Sequence, residues 1–417
     1  MIRRLEVLHF RALKYIDIKL SNFHILVGPN ASGKSTFLDV INLVKDVLNE
    51  TPRMAVEKRV SRFDELLWKQ EGDRFEIAIE LEIPEDTRER LKDREFSLVR
   101  YEISLQLDDM EGIIIGGENL WLIKKGFSNK NTRQITLFPE ETEEPEYVVS
   151  PRKKTPVGWR KVISKSAKGN DYFKSETTDW NITYRFGPLK ASLAKISEDE
   201  SRFPVSLWTK NILTEGIQFL QLNSNTMRWS CRPDLPVAFQ ADGSNLPKVI
   251  QYLKRERPDS FGRWIKHIQT ALPEVEEVDV KERLEDRFLY LNIRHKNGLW
   301  LPSWVISDGT LRLLAQTIIA YLPEKNRVYM IEEPENGLHP LAIESVVQSL
   351  SSVYENQIIL ASHSPVLLRL IEPKDILCFS KTESGAVDII QGDSHPKLKD
   401  WKKDVDLATL HAAGVLQ

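Results

Sequence analysis

A glycine-rich stretch near the amino end constrains the fold of this chain more than any other part of the sequence. GPNASGKST, residues 28 to 36, fits the pattern G-x-x-x-x-G-K-[ST] and follows the apolar run FHILV at 23 to 27. Apolar residues then recur every three or four positions, which is the spacing of one buried helix face. The stretch predicts a buried strand, a phosphate-binding loop and a helix, because such loops point backbone N–H groups and a helix dipole at phosphates.

The loop also predicts which atoms hold a nucleoside triphosphate and its metal. Lys34 is expected to reach the β- and γ-phosphates, and the Ser35 hydroxyl is expected to bind Mg²⁺. The residues expected to contact the nucleotide from this loop are Asn30, Ala31, Ser32, Gly33, Lys34, Ser35 and Thr36. The alternative is a glycine-rich turn that only caps a helix.

Two adjacent glutamates follow a second apolar strand, in NRVYMIEEPENGLHP at residues 326 to 340. An ionised carboxylate at the end of a buried strand is costly to desolvate without a partner. We expect Glu332 to bind the same Mg²⁺, and Glu333 to orient or deprotonate the attacking water as a general base. The alternative is a pair of exposed glutamates in an ordinary strand-end turn.

Two later segments carry polar residues to places where phosphate could bind. SDGT, at 307 to 310, begins a predicted helix, and a hydroxyl, a glycine and free N–H groups there favour an anion. Ser307 and Gly309 are the candidates, with a plain helix cap as the alternative. His363 follows the next buried strand, so parallel neighbours would bring it near the γ-phosphate, although a single histidine at a strand end is more often structural.

Composition bounds the class of protein. The chain has 417 residues, 41% of them hydrophobic and 29% charged, and a net charge of -3. This balance is ordinary for a soluble globular protein and gives no overall attraction to nucleic acid or membrane. Two cysteines, Cys231 and Cys378, are too few for a disulfide framework or a four-cysteine zinc site. No apolar run approaches the roughly 20 residues of a membrane span and no secretion signal is visible, so we expect a cytoplasmic protein without membrane contact.

The order of apolar patterns predicts an α/β fold. Alternating residues at 75–83 and 97–107 predict an antiparallel meander, and helices alternate with strands from about residue 288 onward, as in a parallel layer. Between them, LPKVIQYLKRE, capped by Asn245 or Ser244, and SFGRWIKHIQTAL predict helices. The expected parts are 1–225 for the P-loop and β lobe, 226–273 for a small helical insertion and 274–417 for the segment with the glutamates and His363.

The region from about 126 to 170 is strongly charged, with acidic PEETEEPEY at 139–147 and basic PRKKTPVGWRKVISKSAKG at 151–169. Opposite charge blocks beside Pro and Gly are typical of exposed loops around a hairpin. The alternative is a nucleic-acid contact. The residues that would make it are Arg152, Lys153, Lys154, Arg160 and Lys161.

Together these motifs resemble the ABC-type ATPase heads of the SMC, RecF and OLD families, and most of all the ATPases related to OLD. The resemblance rests on FRALKYIDIKL and LVGPNASGKSTFL near the start, ADGSNLPKVI in the middle, and SDGTLRLLA, IEEPENGLHP and ASHSP later. It implies a P-loop NTPase fold of the ABC ATPase head type with a mixed sheet. Glu332 stands where most relatives carry aspartate. Neither a long coiled coil nor a Toprim nuclease domain is recognisable, so the resemblance is to the ATPase half.

The resemblance implies an Mg²⁺-dependent ATPase in which ATP closes a head-to-tail homodimer. ATP held by Lys34 and Ser35 of one protomer would be contacted by Ser307 and Gly309 of the other, with residues 336 to 339 lining the seam. His363 would sense the γ-phosphate.

The resemblance also implies roles for two further residues. Arg11, at the Phe-Arg position of the family, would contact phosphate from the amino-terminal strands. Gln221 ends a suitable strand for the glutamine of the family's Q-loop, but the sequence leaves that residue open.

The leading hypothesis is an ATP-gated dimerising switch that works with a separately encoded effector, a nuclease or toxin in anti-phage defence, or that serves DNA maintenance. Assembly beyond a dimer stays open. The second hypothesis is a nucleotide-gated DNA-binding clamp of the RecF or SMC type, in which hydrolysis is incidental. A GTPase or small-molecule kinase is disfavoured because no Asn-Lys-x-Asp guanine motif occurs.

Overall fold

The computed structural model describes residues 1–128, 137–150, 155–398 and 407–414. Within these ranges the chain forms three β-sheets and the helices that cover them. The strands are β1 (Ile2–Phe10), β2 (Leu13–Lys19), β3 (Phe23–Val27), β4 (Arg74–Glu82), β5 (Phe96–Asp108), β6 (Gly112–Lys124), β7 (Trp159–Ser166), β8 (Asp171–Lys174), β9 (Asn181–Tyr184), β10 (Ile217–Leu220), β11 (Val275–Glu282), β12 (Leu289–His295), β13 (Trp300–Pro302), β14 (Val328–Glu332), β15 (Gln357–Ala361), β16 (Ile376–Lys381) and β17 (Val387–Gln391).

The helices in the described ranges vary from one turn to more than four. They are α1 (Lys34–Asn49), α2 (Pro52–Glu57), α3 (Glu85–Arg88), α4 (Pro204–Asn211), α5 (Ser224–Arg228), α6 (Leu246–Glu256), α7 (Pro258–Ala271), α8 (Asp308–Ile318), α9 (Pro340–Ser351), α10 (Pro365–Leu368) and α11 (Leu407–Ala412). No helix in the described ranges is both long and apolar enough to cross a membrane.

Each sheet has a distinct pattern of strand pairing. The first is an antiparallel meander with strand order β2-β1-β4-β5-β6-β7-β8-β9. The second has the order β10-β14-β15-β3-β16-β17, in which neighbours are parallel except for the last pair. The third is the small antiparallel sheet β11-β12-β13. The fold is the mixed-sheet P-loop architecture with a β-meander lobe that the sequence predicts.

Helix α1 lies between the two large sheets and joins their cores. Its predicted apolar face, Phe37, Ile41, Val44 and Leu48, is buried. One hydrophobic cluster contains this face, the inner side of the meander and Leu26 of β3. Because side chains alternate along a strand, the flanking β3 residues enter a second cluster with α6, α7, α8 and α9. The parallel sheet is therefore covered on both faces, as parallel sheets usually are.

The other face of the meander buries a cluster of charges around Arg100. Its guanidinium bonds Glu102 at 2.8 Å and Glu80 at 3.1 Å and also contacts Glu6. Burial alone would lower the pKa of Arg100, but Glu6, Glu102 and Glu80 together raise it above its ordinary value. Arg4, bonded to Glu6 at 2.8 Å, extends the cluster along the sheet.

The charged segment from 126 to 170 fits the expectation of exposed loops around a hairpin only in part, because residues 139–147 are exposed or half-buried without regular structure while others are buried. Residues 159–166 form β7 inside the meander. Val148 and Val149 are buried on the charged face of the sheet, where their N–H groups donate to one carboxylate oxygen of Glu76 at 2.6 and 2.7 Å. The sequence conceals this packing because the carboxylate that accepts from Val148 and Val149 lies on the distant strand β4. Arg152, Lys153 and Lys154 lie outside the described residues.

Two smaller expectations also differ from the structure. Asn245 stands at the start of α6, but its side chain does not cap the helix. It instead accepts from Gln240 N at 2.9 Å and donates to the carbonyls of Pro236 and Ala238. Hairpin β16–β17 is an antiparallel pair in a region where the sequence pattern predicts helices alternating with strands as in a parallel layer. The part boundaries at 225 and 273 stay a prediction.

The charge cluster predicts a large stability effect for one substitution. Arg100→Ala leaves three buried carboxylates without their shared cation, so we expect the free energy of unfolding to fall by about 3–5 kcal/mol. Urea denaturation followed by tryptophan fluorescence measures the change. The control is Arg53→Ala, which removes an exposed Arg53–Glu57 pair and is expected to leave the transition in place. Equal stability of the Arg100 variant and the wild type would contradict the prediction.

Candidate functional site

The glycine-rich loop connects the end of β3 to the first residue of α1. Gly33 has a φ of 99° and Ala31 a φ of 61°, so the loop turns through the left-handed region twice. At Gly28 an added Cβ would lie 2.3 Å from the carbonyl oxygen of Phe379, and at Gly33 it would lie 2.7 Å from Val387. Both glycines are therefore required by the hairpin β16–β17, which packs against the loop from behind.

The loop encloses the ammonium group of Lys34. Its Nζ donates to the carbonyl oxygens of Gly28 at 2.9 Å and Pro29 at 2.8 Å, and lies 3.4 Å from the Ser32 hydroxyl. Burial lowers the pKa of Lys34 to about 8, while the charges of Glu332 and Glu333 oppose that shift. The lysine and the glutamate doublet thus act on one another within a single site.

Strand register explains why residues three hundred positions apart meet. Glu332 pairs with Ala361 of β15, and Ala361 pairs with Leu26 of β3. Parallel strands about 4.8 Å apart place the end of β14 about 10 Å from the end of β3, within reach of a long side chain. The carboxyl ends of β14, β15 and β3 form one edge, and the loop, the glutamates and His363 all follow that edge.

Glu333 has a backbone conformation uncommon for its residue type. Its φ is 47°, in the left-handed region, and its N–H donates to Ala361 O at 2.8 Å. Its carboxylate accepts a close hydrogen bond from the side-chain amide of Asn336. Strained residues of this kind cluster at functional sites. The turn after β14 therefore holds Glu333 by both its backbone and its side chain.

His363 shares the electrostatic environment of the loop. Burial lowers its pKa and the positive charge of Lys34 lowers it further, while Glu333 and Glu335 oppose the shift. The imidazole is accordingly neutral at pH 7 and has one donor and one acceptor nitrogen. Beside it, the Ser362 hydroxyl donates to Glu335 at 2.6 Å, which ties β15 to the turn after β14.

The SDGT segment lies on the surface at the start of α8. The Ser307 hydroxyl accepts from Thr310 N at 3.2 Å, so it caps the helix, and the side chain stays exposed. A Cβ at Gly309 would lie 2.5 Å from the carbonyl oxygen of Gly337, so α8 touches the turn after β14 there. Neither Ser307 nor Gly309 hydrogen-bonds to residues 28–36 in the described part of the chain.

A cavity of about 530 Å³ opens beside the glutamate doublet, between β10 and α8. Glu332, Glu333, Gln221 and Asp308 are among its lining residues. The sequence analysis did not single out two others, Arg312 and Gln316. Their four-residue spacing places both polar side chains on one face of α8, and that spacing is the signal that could have found them. Gln316 donates to Pro334 O at 2.9 Å, and Arg312 donates to Leu222 O at 3.1 Å.

Arg11 lies beside the loop but is already paired. It occupies the β1–β2 turn with a φ of 49°, and its Nη1 donates to Asp39 of α1 at 3.2 Å. Its neighbour Ala12 accepts from Val387 N at 2.9 Å, and Val387 is the residue packed against Gly33. The turn therefore adjoins the loop, and phosphate contact by Arg11 would compete with Asp39.

The residues present fit Mg²⁺ only in company with a polyphosphate. In the described ranges no group of three or more His, Cys, Asp or Glu side chains could hold a metal alone. The Ser35 hydroxyl and the Glu332 carboxylate are hard oxygen donors, and Mg²⁺ in proteins is commonly held by one or two carboxylates together with phosphate oxygens and waters. Both side chains are exposed at the site edge, and the donor set suits a nucleotide-bound magnesium ion.

Two family models match separate parts of the chain. A family model described as "AAA ATPase domain" matches residues 1–217, more than half of the 417 residues. A second, described as "AAA domain, putative AbiEii toxin, Type IV TA system", matches residues 232–369. Over 44 residues the chain is 48% identical to the OLD nuclease of Thermus scotoductus, a stretch that covers 11% of this chain and 8% of that nuclease.

A solved structure of an SMC head resembles the fold over most of the chain. An SMC head bound to the C-terminal winged-helix domain of ScpA has a TM-score of 0.54 and 15% identity, covering 93% of this chain and 96% of that one. An SMC head with an extended coiled coil, bound to the C-terminal domain of ScpA from Pyrococcus furiosus, has a TM-score of 0.47 and 14% identity, covering 100% and 98%. At such identities the first likeness establishes the fold alone.

Substitution by alanine is expected to have opposite effects on stability at two helical glycines, Gly309, which contacts Gly337, and Gly262, where an added side chain would meet nothing. Gly309→Ala must separate α8 from the turn after β14, because backbone cannot yield as a flexible side chain does, so we expect a lower melting temperature. Gly262→Ala in α7 meets nothing within 4 Å and should stabilise the protein by about 0.5–1 kcal/mol. Thermal denaturation by circular dichroism compares the two variants. A Gly309 variant as stable as the Gly262 variant would refute the close contact.

Proposed function

Because the chain belongs to the AAA ATPase domain family, among the ABC-type ATPases of the OLD and SMC-like group, we propose that it is an Mg²⁺-dependent ATP hydrolase and an ATP-gated dimerising switch. The observation that carries this proposal is the strand register, which ends β3, β15 and β14 at one edge, so the glycine-rich loop and the glutamates follow strands of the same edge. The effect of Glu332 and Glu333 on the pKa of Lys34 agrees with that placement. Phosphate-binding and water-activating groups would then act on the same triphosphate.

ATP binding would exchange the partners of Lys34. Its ammonium now donates to two carbonyl oxygens of the loop, at 2.9 and 2.8 Å. Phosphate oxygens are stronger acceptors because the bond is charge-assisted on both sides. The backbone N–H groups of residues 30 to 36 and the start of α1 would hold the same phosphates. Ser35 and Glu332 would hold Mg²⁺, which supplies neutralisation of the phosphate charge.

Glu333 is the proposed general base for the attacking water. Asn336 holds the carboxylate of Glu333, and the bond to Ala361 O holds its backbone. The carboxylate would therefore be positioned for the water before the water binds. His363, neutral at pH 7, could donate a hydrogen bond to the γ-phosphate as the family's switch histidine does. Gln221 and Asp308 line the same cavity as the doublet.

Dimerisation is supported by what surrounds Ser307 on the surface. Three large apolar side chains near it are exposed, Trp229 at 68%, Trp304 at 47% and Val305 at 57%. Exposed apolar patches of this kind mark protein contacts. Arg228, next to Trp229, donates a hydrogen bond to Ile306 O at 3.2 Å and forms an ion pair with Asp308 at 2.5 Å. These bonds join the segment that carries Trp229 to the segment around Ser307. A second copy is the occupant proposed for this face, with its own loop bringing ATP to Ser307 and Gly309.

The switch would act in the cytoplasm, where ATP is supplied, with a separately encoded effector such as a nuclease or toxin in anti-phage defence. The DNA-clamp hypothesis has less support. Arg160 donates to the carbonyls of Ser175 and Thr178, at 2.5 and 3.3 Å, and Lys161 stacks over Trp121. These two basic residues therefore serve the meander rather than an open phosphate-binding surface.

Removing the proposed base should separate binding from hydrolysis. Glu333→Gln keeps the shape of the side chain but cannot accept the proton, so we expect ATP hydrolysis at least ~10²-fold slower with ATP binding retained. Phosphate release and equilibrium dialysis with labelled ATP measure the two quantities. Glu344→Gln, an exposed change on α9, is the matched control, and Lys34→Ala should lose ATP binding. Wild-type turnover in Glu333→Gln would remove the assigned role.

A bulky charge at the helix start should prevent closure of the dimer. Ser307→Arg places a guanidinium where the second copy would deliver its nucleotide, so we expect ATP-dependent dimerisation to be lost while ATP binding by the monomer persists. Light scattering with and without ATP, in the hydrolysis-deficient background, measures the mass. Ser351→Arg, exposed at the end of α9, is the control. A Ser307 variant that still doubles its mass with ATP would argue against the head-to-tail arrangement.

A further inference from the structure

Strand β9 is an open edge of the meander. It pairs on one side with β8, and no described strand pairs with its other side. The register places Ile182 opposite Phe173, and Ser175 N donates to Trp180 O at 2.9 Å. In an antiparallel pair hydrogen-bonded positions alternate, so Ile182 bonds inward and the N–H and C=O of Thr183 point away from β8.

The face of β9 that carries Ile182 is apolar and opens into a cavity. Alternate residues Trp180, Ile182 and Tyr184 line this cavity of about 280 Å³ together with Phe173 and Phe203. Trp180 is 37% exposed and Tyr184 41% exposed. Natural sheet edges are usually protected by charge, proline or a covering segment. An aromatic row beside unpaired backbone groups instead resembles the sites where proteins add a peptide strand and hold its alternate side chains in pockets.

The charges around the edge are predominantly positive once ion pairs are removed. Lys174 lies opposite Asn181 on the non-cavity face, Arg185 follows β9, and Lys195 lines the cavity. None of these three forms a salt bridge with a described residue. The exposed acids nearby are already paired. These pairs are Asp179 with Lys92 at 2.7 Å, Glu198 with Lys210 at 2.5 Å and Asp199 with Arg202 at 3.3 Å.

We propose that β9 binds an extended acidic segment of a partner protein as an added strand of the meander. Large apolar residues of that segment would enter the aromatic cavity, and the acidic residues between them would face Lys174 and Arg185. The alternation follows from the two-residue period of a strand. A second copy of β9 fits less well, because edge-to-edge pairing would add a second Lys174 and Arg185 to the same face without adding an unpaired acid of β8 or β9 to meet them. The proposal does not depend on ATP hydrolysis.

The probe is a fluorescein-labelled heptapeptide with glutamate at alternate positions and valine, phenylalanine and threonine between them. Fluorescence anisotropy with the full chain measures its affinity. We expect the lysine counterpart of the peptide, and a scrambled version that destroys the alternation, to bind at least ~10-fold more weakly. Equal binding of the glutamate and lysine peptides, or no binding of the glutamate peptide, overturns the proposal.

Two variants test the backbone contribution at one position. Thr183→Pro removes an outward N–H without touching the bonds to β8, and proline is tolerated on edge strands. Thr183→Val keeps that N–H and is the matched control. We expect binding at least ~10-fold weaker for the proline variant and unchanged for the valine variant. Wild-type affinity in the proline variant means the peptide does not add as a strand, and the proposal fails.

Charge reversal and self-association complete the test. Lys174→Glu with Arg185→Glu should weaken binding of the glutamate peptide at least ~10-fold and strengthen binding of the lysine peptide, and unchanged affinities would contradict the charge argument.

If nucleotide-free wild type dimerises and Thr183→Pro alone abolishes that dimer, the occupant is a second copy and the proposal is overturned. ATP hydrolysis by each variant reports correct folding. An inactive wild type that binds the peptide would refute the proposed ATPase and leave this inference standing.

Discussion

The site depends on one constraint, the common edge at which the parallel strands β14, β15 and β3 end. Backbone pairing in register sets the glycine-rich loop, the glutamate doublet and His363 side by side, although they are distant in sequence. At that edge burial lowers the pKa of Lys34, and the neighbouring carboxylates oppose that shift. Lys34 offers phosphate a positive partner at this edge, and Glu332 and Ser35 offer a metal ion hard oxygen donors, so we expect a polyphosphate and its magnesium ion to enter together.

The meander contributes to this site from a distance. Hairpin β16–β17 presses on the loop through Phe379 and Val387, and Val387 also bonds the turn between β1 and β2. Helix α1 fills the space between the sheets. The hairpin belongs to the parallel sheet and also contacts the meander, so both sheets support the loop. The two outer glycines tolerate no side chain because Phe379 and Val387 of the hairpin lie against them.

Sequence reasoning found the elements whose chemistry is local. The loop motif, the apolar strand before Glu332 and the helix after Ser307 each carry their own pattern over a few residues. It missed features that depend on distant partners. Val148 and Val149 are buried because Glu76 accepts their N–H groups, and Asn245 serves a neighbouring loop instead of its own helix. Arg11 is bound to Asp39, a pairing that no spacing rule predicts. Hairpin β16–β17 was also missed, although its strands are as long as β3, β14 and β15.

The touching backbones of Gly309 and Gly337 have a mechanical consequence. With no side chain between them, the start of α8 cannot move without displacing the turn that carries Asn336, and Asn336 is bonded to Glu333. In the proposed dimer, a neighbour that presses on this helix would shift the carboxylate that activates water in the same subunit. The timing of each turnover would then be governed by the arrival of the other molecule rather than by the nucleotide alone.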